Sequence, residues 1–154
     1  MTSTLKLALQ CAFMAMVPVV ELRGALPWGI TQGLPVPLAY GLCVLCNMIP
    51  VPFILLFIKK VLAFMDSREK LRPISRWIEE HGQKKLKEYE KYHIFGLFLL
   101  VAVPLPGTGA WTGSLVAALT GLRIRRAIPA IFLGVSVAGV ITAAITLGAV
   151  AVFG

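Results

Sequence analysis

The sequence predicts an all-α integral membrane protein built as an inverted-topology repeat, in which each half is a re-entrant helical hairpin followed by one transmembrane helix. Of its 154 residues, 58% are hydrophobic and only 14% are charged, whereas an ordinary soluble domain carries about 25% charged residues. Two long apolar stretches contain no charge, and two others are broken near the middle by proline and glycine. We therefore expect a single multi-pass membrane domain over residues 1–154.

The first half, residues 7–58, joins a broken stretch to a span. Residues 7–35 are too many for one crossing and too few for two, since a helix needs about 20 residues to cross the bilayer. Residues 36–58 carry no charge and suffice for one crossing. Proline removes a backbone donor and glycine tolerates unusual dihedral angles, so both favour a tight reversal. The predicted hinges of this first hairpin are Pro18, Gly24 and Pro27.

The middle of the chain, residues 59–93, is predicted to be an amphipathic helical segment on the cytoplasmic face. Apolar residues recur at helical spacing after Leu71, with Pro73 near the start and Gly82 as a stop signal. Two alternatives stay open, a helix lying in the membrane interface and a solvated helical hairpin. Because ten of the fifteen Lys and Arg lie in residues 59–91, we expect anionic lipid headgroups as partners and no nucleic acid.

The second half, residues 94–153, repeats the pattern with a hairpin at 94–122 and a span at 127–153. Basic residues both precede and follow this hairpin. A hairpin that enters and leaves by the cytoplasmic face puts both clusters inside, as the positive-inside rule requires. Residues 7–35 then enter from the opposite face, so the two halves are inverted. The predicted hinges here are Pro104, Pro106, Gly107 and Gly109.

Glu21 and Arg23 are the only charges between Lys6 and Lys59, and a charge at bilayer depth costs about 2.5 to 3.5 kcal/mol. We expect them to line a substrate or ion pathway, with a structural ion pair at the hairpin tip or a position near the interface as alternatives. Asn47 also needs a partner in hydrocarbon, either in packing or on a substrate. Inverted repeats with interrupted segments place such a site near the bilayer midplane.

The second hairpin carries polar groups without charge. Thr108 and Thr112, with freed backbone amides, could bind an anion at the start of a half-helix. Trp111 either lines the path or packs. We expect no enzyme, metal or cofactor, since no nucleophile elbow, zinc-protease motif or pair of intramembrane carboxylates occurs. The three cysteines lie in apolar runs, where packing is the expected role; they are Cys11, Cys43 and Cys46.

Two fragments resemble the signature stretches of the small multi-drug export protein family, and the similarity covers nearly the whole chain. They are VELRGALPWG at residues 20–29 and VPLPGTGAWTGSLVA at residues 103–117. The family is similar in turn to the DedA (VTT) membrane proteins, which pair two re-entrant loops with transmembrane helices and are implicated in moving lipids between leaflets. That resemblance implies that Glu21 corresponds to an acidic residue in the first loop of the DedA proteins. Thr108 and Thr112 depart from it, because DedA proteins carry arginines near that tip.

These observations predict a small transporter in the cytoplasmic (inner) membrane of a prokaryote. It would export small molecules or translocate lipids, with proton coupling through Glu21 as an option. The alternative is a non-transporting scaffold or bilayer-shaping protein. A homodimer is one way to enclose a path with so short a chain.

Overall fold

The computed structural model describes residues 2–69, 71–105 and 107–153, and within these ranges the chain is helical without any strand. Two helical stretches, Val36–Asp66 and Ile124–Val152, are long and apolar enough to cross a membrane. The fold is therefore all-helical with two candidate spans. Its helices are α1 (Thr2–Met16), α2 (Glu21–Thr31), α3 (Val36–Met48), α4 (Pro50–Asp66), α5 (Arg72–Ala102), α6 (Ala110–Leu119) and α7 (Ile124–Phe153).

The first broken stretch reverses at residues 17–20, where Pro18 lies, and resumes as α2 at Glu21. Gly24 and Pro27 were expected at the reversal, but both lie inside α2. Proline in a helix removes one backbone hydrogen bond, and a membrane helix packed against neighbours tolerates that loss. At Gly24 there is no room for a side chain, because a Cβ there would lie 2.6 Å from Val20 Cγ1. The chain thus reverses before Gly24 and Pro27, which were two of the three predicted hinges.

The second broken stretch is interrupted at residues 103–109, between α5 and α6. Pro104, Gly107 and Gly109 all lie in this connection, and Gly107 has a φ of +82°, a conformation that glycine adopts without steric cost. The remaining predicted hinge, Pro106, lies outside the described residues.

The expected stop at Gly82 is wrong, because α5 continues through it to Ala102. A single interior glycine costs a helix only about 1 kcal/mol, which the backbone hydrogen bonds of a long helix outweigh. Pro73 does lie in the first turn, as expected. The amphipathic segment and the first arm of the second hairpin are therefore one helix of 31 residues.

Helix α4 continues past residue 58 to Asp66, so the start of the polar middle segment is helical. The chain then turns through residues 67–71 into α5, and the two helices contact each other. Upstream, α3 and α4 are separated only by Ile49, whose backbone keeps helical dihedral angles. Pro50 and Pro52 remove donors there without turning the chain, so α3 and α4 together form the first candidate span.

The core is packed by small residues at helix crossings. Helix α7 lies closely against α5, and a Cβ at Gly134 would meet the Phe98 carbonyl oxygen at 3.0 Å. A stripe of small residues on α7 is buried within the chain, which explains the close approach. Its members are Gly134, Ala138, Thr142 and Thr146. Cys11 and Cys43 are fully buried with their sulfurs 3.3 Å apart.

Candidate functional site

A cleft of about 500 Å³ lies where the two chain interruptions meet. Each interruption contributes one wall, so the two broken stretches are neighbours in space although about 80 residues separate them. Prolines, glycines and valines make up most of the lining, together with one carboxylate and one guanidinium. The lining residues are Pro18, Val19, Val20, Glu21, Arg23, Gly24, Pro104, Gly107 and Thr112.

Arg23 is bonded to the end of helix α5. Its guanidinium donates to the carbonyl oxygens of Val101 at 3.1 Å and Val103 at 2.9 Å, and also to that of Leu105. The last carbonyls of a helix lack intrahelical donors and form the negative end of its dipole. The guanidinium of the first broken stretch therefore caps a helix of the second.

Glu21 is bonded to the start of helix α6. Its Oε1 accepts a hydrogen bond of 3.2 Å from the backbone N–H of Trp111. Gly109, at the N-cap, has no side chain to make this bond, and a Cβ there would overlap the Glu21 carboxylate. Only 8% of the Glu21 surface is exposed. A carboxylate at the positive end of a helix is well placed electrostatically, so α6 compensates this charge.

The backbone of Glu21 is itself unusual, with a φ of +48°. For a residue with a Cβ this left-handed conformation costs about 1–2 kcal/mol. Such outliers persist where surrounding contacts fix them, and they concentrate at functional sites. The bond to α6 is one contact that fixes this one.

Glu21 and Arg23 do not form a direct ion pair with each other; their hydrogen bonds go to backbone groups of the other interruption. Two residues apart on α2, they point in different directions. Sequence reasoning identified both charges, but the acceptors and donors are main-chain atoms about 80 residues away. Because nearly every residue carries such main-chain groups, the residue types do not indicate which of them bind Glu21 and Arg23.

Trp111 packs and bonds across the same junction. Its indole Nε1 donates to the Met16 carbonyl oxygen at 3.1 Å, and Met16 is the last residue of α1. Each interruption thus supplies the side chain that caps the helix ending at the other. The sequence signal was the indole N–H in an apolar stretch, which requires an acceptor when buried.

Thr108 and Thr112 stabilise the second interruption from within. The Thr108 hydroxyl donates to the carbonyls of Val103 at 3.1 Å and Leu105 at 3.0 Å, and that of Thr112 donates to Gly107 at 2.8 Å. Only Thr112 lines the cleft. The hydroxyl protons are thereby occupied, which leaves their oxygens as acceptors.

Asn47 lies apart from this junction. It is 2% exposed on α3 and does not line the cleft, and its Oδ1 is buried without a hydrogen-bond partner in the described part of the chain. The structure thus brings Glu21, Arg23, Trp111 and Thr112 together and separates Asn47 from them. No three His, Cys, Asp or Glu side chains of the described residues are grouped as metal ligands.

A model of the family described as "Putative small multi-drug export protein" matches residues 21–141. The match begins at Glu21 and includes both walls of the cleft from that residue onward. No curated protein and no solved structure matches the chain.

Proposed function

The chain belongs to the small multi-drug export protein family, and from this premise we propose that it is a small transporter of the prokaryotic cytoplasmic membrane. It exports small molecules or translocates lipids through the cleft that Glu21 and Arg23 line. The observation that carries the proposal is the position of these two charges. They lie in a cleft of about 500 Å³ between two interrupted segments, where a transporter needs its site.

The proposed architecture is a pair of inverted re-entrant hairpins, α1–α2 and α5–α6. Helices α1, α2 and α6 have 15, 11 and 10 residues, all fewer than the 20 or so needed to cross. Contacts between the halves are also paired, since α2 packs on α7 and α6 packs on α4. These lengths and contacts support the two-fold arrangement.

The proposed working step is a rearrangement of the junction. Alternating access requires the cleft to close on one side and open on the other, and Arg23 and Glu21 hold the two sides of the second interruption. Protonation of Glu21 removes its charge and weakens its attraction to the positive end of α6. Proton binding at Glu21 would therefore couple to opening.

The cleft favours an amphipathic substrate. Pro18, Val19, Val20 and Pro104 offer apolar contact, while Glu21 and Arg23 offer one charge of each sign. A headgroup or ammonium group that enters the cleft must compete for Glu21 and Arg23 with the backbone groups that already bind them. Anionic lipid headgroups are further proposed partners at the basic segments, and a homodimer is proposed as the assembly.

The second candidate is a non-transporting scaffold or bilayer-shaping protein. It is favoured by the same bonds, because both charges already have backbone partners and would serve to lock the two interruptions together. The two proposed functions differ in the expected effect of removing one of these two charges.

Glu21→Gln is the sharpest test, measured in proteoliposomes that carry a pH gradient. The amide oxygen can still accept from the Trp111 N–H, so we expect the protein to fold while efflux of a cationic dye and leaflet exchange of a fluorescent phospholipid fall at least tenfold, about 1.4 kcal/mol. Lys6→Gln, which removes an exposed charge on α1, should keep wild-type rates. Wild-type protein that moves neither probe, in either gradient direction, supports the scaffold.

A further inference from the structure

A second cavity, of about 220 Å³, lies between α5 and α6 at the end of α6 away from the cleft. The cleft contacts α6 at Thr112, whereas this groove contacts it from Val116 onward. The two sites therefore differ in location and in lining. We call the second one the α5–α6 groove, lined by Tyr92, His93, Gly96, Leu97, Leu100, Val116, Ala117, Thr120 and Leu122.

The groove lies where α5 changes from charged to apolar. The apolar part of α5 is Tyr92–Ala102, and ten Lys and Arg precede it between residues 59 and 91. The α5 part of the lining begins with a tyrosine and a histidine at residues 92 and 93 and continues with leucines at residues 97 and 100. That gradient is typical of the boundary between headgroups and hydrocarbon.

Two features of the lining bear on what the groove could hold. A Cβ at Gly96 would find no atom within 4 Å. The Nδ1 of His93 is buried and has no hydrogen-bond partner among the residues described. A buried ring nitrogen without a partner carries a desolvation cost, which a ligand bearing polar oxygen atoms would remove.

Positive charge follows the groove wall in sequence. Leu122 is buried in the groove wall, and Arg123 and Arg125 follow it as exposed residues. A basic residue near a membrane surface attracts anionic headgroups by about 1 kcal/mol each. An anionic amphiphile matches an apolar groove whose wall continues in sequence into basic residues.

We propose that the α5–α6 groove binds one acyl chain of an anionic phospholipid, whose phosphate lies beside Arg123 and whose oxygen atoms accept from His93. The site is structural or regulatory and separate from the transport cleft. It does not rest on the transport proposal, and lipid binding can be measured whether or not the protein transports.

The test uses the purified full-length protein in detergent, titrated with dioleoyl phosphatidylglycerol or dioleoyl phosphatidylcholine and read by native mass spectrometry. Gly96→Leu places an alkyl group in the groove and should weaken phosphatidylglycerol binding about tenfold. The matched control is Gly148→Leu on α7, where a Cβ also meets nothing within 4 Å. It should leave the affinity unchanged.

Charge is tested in the same titration. Arg123→Gln should weaken phosphatidylglycerol binding about fivefold, which corresponds to one basic contact, and should not change phosphatidylcholine binding. Lys6→Gln, an exposed charge on α1, should have no effect. The proposal fails if Gly96→Leu and Gly148→Leu titrate alike, if wild type binds both lipids equally, or if soluble glycerol phosphate displaces the lipid as well as another lipid does.

Discussion

The charged residues of the junction show how a short membrane chain satisfies buried charge without an ion pair. Glu21 takes the positive end of α6, and Arg23 takes the negative end of α5. Both helix ends would otherwise leave backbone groups without partners, and each such group costs about 1–3 kcal/mol when it is buried. Each side chain thus gains a partner of opposite charge and also binds backbone groups at a helix end.

Gly109 gives the first prediction at this scale, because the Glu21 carboxylate occupies the space a Cβ would need. Gly109→Ala should displace the carboxylate and lower the free energy of unfolding by about 1–3 kcal/mol, the usual cost of overpacking. Thermal unfolding in detergent measures it. Gly41→Ala is the control, since a Cβ there meets nothing and alanine should stabilise α3 by about 0.5–1 kcal/mol. Equal effects of the two substitutions would show that the carboxylate is free to move away.

At the scale of helices, the apolar periodicity and the proline and glycine positions predicted most of the elements. The confirmed features are the all-helical structure and two candidate membrane spans. Interruptions occur near Pro18 and across Pro104, Gly107 and Gly109. The exact helix ends were less predictable, because proline and glycine do not end a helix that tertiary packing stabilises. Pro27 stays helical inside α2, and Gly82 inside α5.

The sequence predicted the side chains of the candidate site but not the groups that they bind. Glu21 and Arg23 stood out because charge is costly in an apolar stretch, whereas Trp111 was predicted only to line the path or to pack. Their partners are the carbonyls of Met16, Val101, Val103 and Leu105 and an amide of Trp111. Every residue carries such groups, so only the tertiary structure reveals which are used.

The crossing of α5 and α7 gives a prediction about elements. A Cβ at Gly134 would lie 3.0 Å from the Phe98 carbonyl oxygen and 2.7 Å from Val101 Cβ. Backbone cannot swing aside as a side chain can, so Gly134→Val should force the helices apart and destabilise the protein by about 1–3 kcal/mol. Unfolding titrations in mixed micelles measure the loss. Gly148→Val, in open space on the same helix, should cost less than 1 kcal/mol, and a similar loss at both positions would contradict the close crossing.

At the scale of the whole molecule, the two halves depend on each other. The helix that ends at each interruption is capped by a side chain of the other half, Arg23 in one case and Trp111 in the other. Neither half has its junction complete alone. We therefore expect the halves to fold cooperatively and the cleft to form only in the joined chain.

The last prediction concerns how the molecule lies in the membrane. If both broken stretches are re-entrant, Lys91 and Arg123 lie on the cytoplasmic face together with Ser67, and Gln32, exposed between α2 and α3, lies on the other. Single cysteines at these four positions, placed in a cysteine-free background, can be labelled with a membrane-impermeant maleimide in intact cells and in inverted vesicles. Labels at 67, 91 and 123 should appear only in inverted vesicles, and label at 32 only in intact cells. Should 91 and 123 react from opposite faces, residues 94–122 would cross the bilayer completely. Glu21 and Arg23 would then cap helix ends within an ordinary helical bundle, without two opposed hairpins meeting around a path.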